Sequence, residues 1–225
     1  MVAQMVSDLY LPLSQVRLEA YRPPGASDLE MLTNYFWNID LAEGLVSSLH
    51  GIELALRNTI HTGLTNVHGT DMWFQQPGLL GTWHTNEFNK AYAAVAKNPP
   101  VTAGKLVAEL NFGFWTGLLG GSYEQPLWSP NRYALLRAAF SNVSTSRKII
   151  YARLTAIREL RNRVFHHEAI WHRPNLVREH NDIHQAINWI SPTLHRAIHS
   201  VDNFPKNYAG KAHVEARLKI LLKIS

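Results

Sequence analysis

With 225 residues and no cysteine, the chain cannot form disulfides, cysteine-ligated zinc sites or thiol nucleophiles. No apolar run approaches the roughly 20 residues of a membrane span, and the N-terminus "MVAQMVSDLYLPLSQ" lacks a basic stretch followed by an apolar one, so neither a span nor a signal peptide is expected. A net charge of +5, a pI near 9.5 and 12 histidines lean toward an anionic partner, yet no Lys/Arg run of the kind that tracks a DNA duplex is present.

Helical periodicity dominates from the start. "SQVRLEAYR" (14–22) reads as a short helix with Ser14 as cap, ended by Pro23 and Pro24. Residues 27–66 form the longest helical stretch, capped by Ser27 or Asp28, with a break or kink expected near Asn38–Asp40. Leu45, Leu49, Ile52, Leu56 and Ile60 recur at steps of three and four and predict one buried stripe. On a different face, His50, Glu53, Arg57 and His61 follow the same steps, with Asn58 beside them. Glu53 and Arg57 stand in the favoured order for an intrahelical ion pair. This stripe is either a partly exposed helix surface or one wall of a polar cleft.

Residues 69–83 read as a loop rich in Gly and aromatics, 86–98 as a helix stopped by Pro99 and Pro100, and 102–119 as another helix. "GFWTGLLGG" (113–121) has no P-loop lysine and no dinucleotide spacing, so Gly113 and Gly117 point to close packing rather than phosphate binding. Residues 120–131 carry breaker signals, 132–140 a short helix, 144–168 a long one, and 175–191 a helix up to Pro192 that 194–204 can continue. Residues 211–224 close the chain as a basic amphipathic helix, better suited to docking on the bundle or a partner than to a membrane surface. Few segments alternate with period two. The expectation is an all-α single domain of packed helices without linkers. His180 and His184, like His195 and His199, are spaced i, i+4, but neither pair has a neighbouring HExxH glutamate or a cysteine. Solvated or capped histidines are expected there, with no metal and no other cofactor. Trp115, Trp128 and Trp171 are either core residues or platforms on which bases could stack.

The densest polar segment is "ELRNRVFHHEAIWHR" (159–173). Ile150, Leu154, Ile157, Leu160 and Val164 form the buried stripe of this helix, and Asn162 and His166 share another face. Arg161 and His166 are five apart, an offset of roughly 140° on a regular helix. They can meet over one ligand through the reach of the Arg side chain, a distorted helix end, or a second copy across a symmetric interface. Arg supplies a planar charged fork for phosphate oxygens, and His moves protons near neutrality. Together they meet the needs of RNA cleavage: a base for the 2′-hydroxyl, a proton for the leaving oxygen and charge stabilisation. The alternative is a helix terminus, with His166 and His167 interacting favourably with the dipole and Glu168 paired with Arg161 or a nearby Arg.

"LRNRVFHHE" resembles the R-x4-6-H motif of HEPN-domain proteins, with Arg161 and His166 at its ends. "LHGIELALRNTIHTGL" (49–64), "MWF" (72–74), "ELNFGFWTGLL" (109–119) and "LRNRVFHHEAIW" (160–171) together resemble the Abi-like abortive-infection proteins, a branch of HEPN, over about residues 14–200. The resemblance implies a HEPN-like helical bundle with additional helices, a homodimer, and a metal-independent endoribonuclease whose site is built at the dimer interface from both copies of the motif. It implies Arg161 and His166 as the catalytic pair and Asn162 as the supporting polar residue. His167, Glu168, Glu53, Arg57 and Asn58 are the further candidates for supporting roles. RNA, a second copy of the chain, and an antitoxin protein or regulatory RNA are the expected partners, with a cytoplasmic setting in phage defence. Ala169 stands where family members often carry Pro, which bears on how the helix ends. A non-catalytic RNA-binding HEPN protein is the alternative, and a helical interaction module a third reading.

Overall fold

The computed structural model describes residues 1–128 and 133–223, without the side chain of Tyr133. Every regular element among them is helical, as the periodicity predicts. Part of the stretch read as a connection over 120–131, Arg132 at the start of the helix expected over 132–140, and Ile224 at the end of the helix expected over 211–224 lie outside the described residues. No helix among the described residues is long and apolar enough to cross a membrane. The chain forms two compact units: residues 1–48, 160–180 and 200–225, and residues 49–159 and 181–199.

The first unit opens with α1 (Val2–Leu13), a helix absent from the sequence reading, and α2 (Gln15–Glu19), whose N-terminus is capped by the Ser14 hydroxyl. Helix α3 runs unbroken over Asp28–His68 and supplies its first half to this unit. Ser27 caps it by accepting from the Glu30 amide at 3.2 Å. Of the break or kink expected near Asn38–Asp40, the break does not occur. Asn38 lies in the helix interior with its side chain buried, because its amide oxygen binds backbone elsewhere in the unit instead of competing with its own helix. α12 (Phe204–Ala209) seats directly on α3, since a Cβ on Gly44 would lie 2.8 Å from the Phe204 Cα. Trp37 Nε1 donates to the Asn207 carbonyl at 2.9 Å, and Asn207 Nδ2 donates to the Asp40 carbonyl at 2.6 Å. α13 (Lys211–Leu222) buries Val214, Leu218 and Leu222 and ties to α3 through Arg217–Asp40 at 2.9 Å.

The second unit takes the rest of α3, with Leu49, Ile52, Leu56 and Ile60 at most 1% exposed. It then adds a 3-10 turn (Trp73–Gln75), α4 (Thr82–Val95), α5 (Ala103–Glu109), α6 (Phe112–Gly117), α7 (Glu124–Trp128) and α8 (Tyr133–Ala139). The stretch read as one helix over 102–119 is two, because Asn111 caps α6 by accepting from the Phe114 amide at 2.9 Å. Two further helices, α9 (Arg147–Phe165) and α10 (Leu176–Ile190), contribute part of their length, and α11 (Pro192–Ser200) most of its own. Trp115 and Trp128 are core residues, at 0% and 1% exposure. Trp128 Nε1 donates to the Leu118 carbonyl at 2.7 Å. Gly117 permits the close packing expected of it, since a Cβ there would meet His84 Nε2 at 2.7 Å.

His61 leaves the polar stripe assigned to it. Its ring stacks on Phe74, and Nδ1 accepts from Trp73 Nε1 at 3.1 Å. An indole can only donate, so Nδ1 is unprotonated in this bond. Burial lowers the pKa of His61, and it does the same for His84, whose Nε2 meets the Phe114 carbonyl at 3.1 Å.

Two outcomes follow. Below a pH of about 6.5 the unfolded chain binds more protons than the folded one at both rings, so stability is complete above that value and falls as pH drops toward the folded pKa values. The urea midpoint should therefore decline from pH 7.5 to 5, and His61→Gln, whose amide can still accept from Trp73, should reduce the decline. Asn38→Leu should cost about 2–3 kcal/mol in the same assay, since two backbone amides lose their buried acceptor.

Candidate functional site

Helix α9 carries the candidate motif at its C-terminal end, inside the first unit. Leu160 and Val164 are buried there, which turns Asn162 and His166 to the surface, both exposed. The helix remains regular into this turn, since the His166 amide still donates to the Asn162 carbonyl at 2.8 Å. A distorted helix end is therefore not what relates Arg161 to His166. Arg161 instead extends along the axis, with Cζ 4.7 Å from the centre of the Phe165 ring. Two i, i+4 ladders thus run side by side over the last turn, Arg161–Phe165 and Asn162–His166. Phe165 is exposed, so this cation–π contact does not bury the guanidinium beneath the ring.

The helix stops at His167, whose φ of 57° lies in the left-handed region. The His167 amide donates to the Val164 carbonyl at 3.1 Å and the Glu168 amide to the Arg163 carbonyl at 2.8 Å. These two bonds are the paired closures of a Schellman terminus, a position that glycine usually fills. A histidine there costs about 1 kcal/mol of backbone strain. The termination is complete before Ala169, so the missing proline is not needed to end the helix. Glu168 pairs with Arg163 at 3.1 Å, and with both groups about half exposed the pair adds little stability.

The segment beyond is held from beneath. The Arg17 guanidinium donates to the His167 carbonyl. Asn38 Oδ1 accepts from the amides of Ile170 at 2.7 Å and Trp171 at 3.1 Å. The half-buried Trp171 lies over Tyr21, with ring centres 6.4 Å apart and planes at 29°. Burial raises the Tyr21 pKa, so its hydroxyl stays protonated near neutrality. Beside the motif opens a cleft of about 400 Å³ whose polar lining comes from Arg17, Tyr21, Tyr35, Asn38, His167 and Glu168. That volume is in the range of small-ligand sites. Arg17, Tyr21, Tyr35 and Asn38 were not among the sequence candidates. They sit far from the motif in sequence, and Asn38 carried only the appearance of a helix breaker.

The remaining candidates lie in the second unit. Glu53 and Arg57 are half-buried on α3, and Asn58 is exposed on the wall of a cleft of about 270 Å³ shared with Thr62 and Asn66. Of the histidine pairs, His180 is buried in the first unit, with Nε2 2.8 Å from Asp202 Oδ2 and its ring stacked on Phe204. The other three stand together in the second unit. His184 is buried, His195 half-exposed and His199 exposed. Of the solvated or capped states expected of these histidines, the solvated one applies to His199 and not to the buried His180 and His184. Comparison of the chain with family models, with curated proteins and with solved structures gave no match.

Relief of the left-handed residue gives a direct test of the terminus. His167→Gly should raise stability by about 0.5–1 kcal/mol, because the bond from Arg17 goes to backbone and survives the change. Urea denaturation reads the effect, and a loss of stability would mean that the imidazole itself holds the segment.

Proposed function

We propose that the chain is a metal-independent endoribonuclease of the HEPN type, related to the Abi-like proteins and acting in bacterial phage defence. The observation that carries this reading is the exposed last turn of α9, where Arg161 is steered along the axis by Phe165 toward the end that presents His166. The net charge of +5 favours an anionic substrate.

In this reading Arg161 binds the scissile phosphate and offsets the extra negative charge of the phosphorane. An imidazole of the His166 type takes the 2′-hydroxyl proton while that oxygen attacks phosphorus. The bond to the 5′-oxygen breaks, and the leaving oxygen receives a proton from a second group. The products are a 2′,3′-cyclic phosphate and a free 5′-hydroxyl. The motif supplies His166 once per chain, so a homodimer that apposes two motifs provides base and acid together. Asn162, one turn before His166 on the same face, orients the ring or the phosphate. His167 and Glu168 form the rim of the adjoining cleft, where a nucleotide flanking the scissile bond would lie. An antitoxin protein or regulatory RNA covering this turn would hold the enzyme inactive.

A second reading, a non-catalytic RNA-binding protein, is favoured by the cleft itself, where Tyr21 and Tyr35 lie beside Arg17. Purified wild-type, Arg161→Ala and His166→Ala proteins incubated with RNA in EDTA separate the two. The wild type should release cyclic-phosphate ends, and each variant should be slower by at least about 100-fold. Full cleavage by His166→Ala would overturn the assignment. RNA bound but left intact by the wild type would favour the binding protein.

A further inference from the structure

We propose that His184, His195 and His199 form a binding site for a divalent transition-metal ion of the zinc type, where α10 gives way to α11 in the second unit. The ring centres of His184 lie 5.4 Å from His195 and 5.7 Å from His199, and those of His195 and His199 are 6.1 Å apart. The planes meet at 82°, 74° and 65°, so the rings are not stacked on one another. Three imidazoles on one tetrahedral ion, with bonds of about 2.0–2.1 Å, place their ring centres roughly 5 Å apart. The observed triangle is within about 1 Å of that arrangement. Closing it needs rotamer adjustment at His195 and His199, the two rings with solvent around them.

The backbone builds this triangle by a repeated device. The chain turns at Ser191, whose hydroxyl accepts from the Leu194 amide at 3.2 Å and whose carbonyl accepts from the His195 amide at 2.9 Å. Pro192 opens α11, where its missing N–H costs nothing. Both helices then rest on the same glycine of α3. A Cβ on Gly51 would lie 2.9 Å from Ile198 Cγ1 and 3.5 Å from Ile187 Cδ1. Each isoleucine follows a histidine by three residues, His184–Ile187 on α10 and His195–Ile198 on α11. Anchoring the two isoleucines at one point brings the two histidines together, and His199 completes the set from the next turn.

The donor set selects the ion. Three neutral imidazoles without thiolate or carboxylate suit Zn²⁺, Ni²⁺ or Cu²⁺ and not Mg²⁺ or Ca²⁺. The burial gradient, from buried His184 to exposed His199, gives the ion a path from solvent and leaves the fourth position to water. The site uses no residue of the α9 motif, so it is independent of the proposed cleavage.

Co²⁺ is the probe. Chelator-treated full-length protein at pH 7.5 is titrated with Co²⁺, and the visible spectrum is followed, with Zn²⁺ added last. One equivalent with a tetrahedral spectrum, displaced by Zn²⁺, is expected. The double variant His195→Ala/His199→Ala should bind at least about tenfold more weakly, and His213→Ala, which removes an exposed histidine elsewhere, should bind as the wild type does. Melting temperature provides the second reading. Zn²⁺ should raise it in the wild type and not in the double variant, whose ion-free melting temperature should match the wild type. No uptake by the wild type overturns the site. So does equal affinity or an equal Zn²⁺-dependent rise in the double variant, since the ion would then sit elsewhere.

Discussion

The geometry of the first unit depends on how helix α9 is stopped. A helix leaves its last carbonyls without partners, and here two are closed by the amides of His167 and Glu168 as the chain enters the left-handed region. The following residues run into the interior, where their own amides need acceptors. Asn38 supplies one oxygen for two of them, from the middle of a helix. Its burial is stable because that oxygen is used, and Asn38 fixes the segment after α9 together with Arg17, which donates to the His167 carbonyl. The termination and the buried amide therefore hold each other. Between them they set which side chains of the last turn face outward.

That constraint gives the candidate motif its form. Arg161, Asn162, Phe165 and His166 project from a regular helix whose inner face is committed to Leu160 and Val164. The left-handed histidine places strain next to the groups proposed to do chemistry, which is where proteins often retain it. A site built on a helix end has well-determined backbone positions, and Asn162 and His166 are exposed there. The stack of Arg161 on Phe165 narrows the freedom of the longest of these side chains without removing its charge.

In the second unit the same logic works through small residues. Gly51 lets two isoleucines from consecutive helices converge, and Gly117 lets His84 sit against α6. Absence of a Cβ thus decides where imidazoles gather. His61 illustrates the opposite case. Its position at a helical step from Arg57 suggested a polar face, but neighbouring aromatics offered Trp73 Nε1 as a donor and the face of Phe74 as a surface, and the ring is half-buried against them.

The helices themselves were legible because a 3.6-residue apolar period is a local property, visible in Leu45, Leu49, Ile52 and Leu56 or in Leu160 and Val164 without knowledge of their partners. Caps such as Ser14 and Ser27 were legible for the same reason. Less visible were α1, whose Pro12 obscures its pattern, and α7, whose Pro126 falls in the first turn, where a missing N–H is harmless. The break at Asn111 and the continuity at Asn38 could not be separated by residue type, since an asparagine that caps one helix lies inside another.

What the sequence by itself determined is the all-α class, the principal buried stripes and the crowding of Arg161, Asn162, His166, His167 and Glu168 at one helix end. The tertiary structure decided that Arg17 and Asn38 hold that end in place, that His61 belongs to an aromatic core, and that His184, His195 and His199 share one corner. The reason is physical. Helix periodicity is written in residues a few positions apart, whereas a hydrogen-bond acceptor or a third imidazole can come from anywhere in the chain, and only packing chooses which.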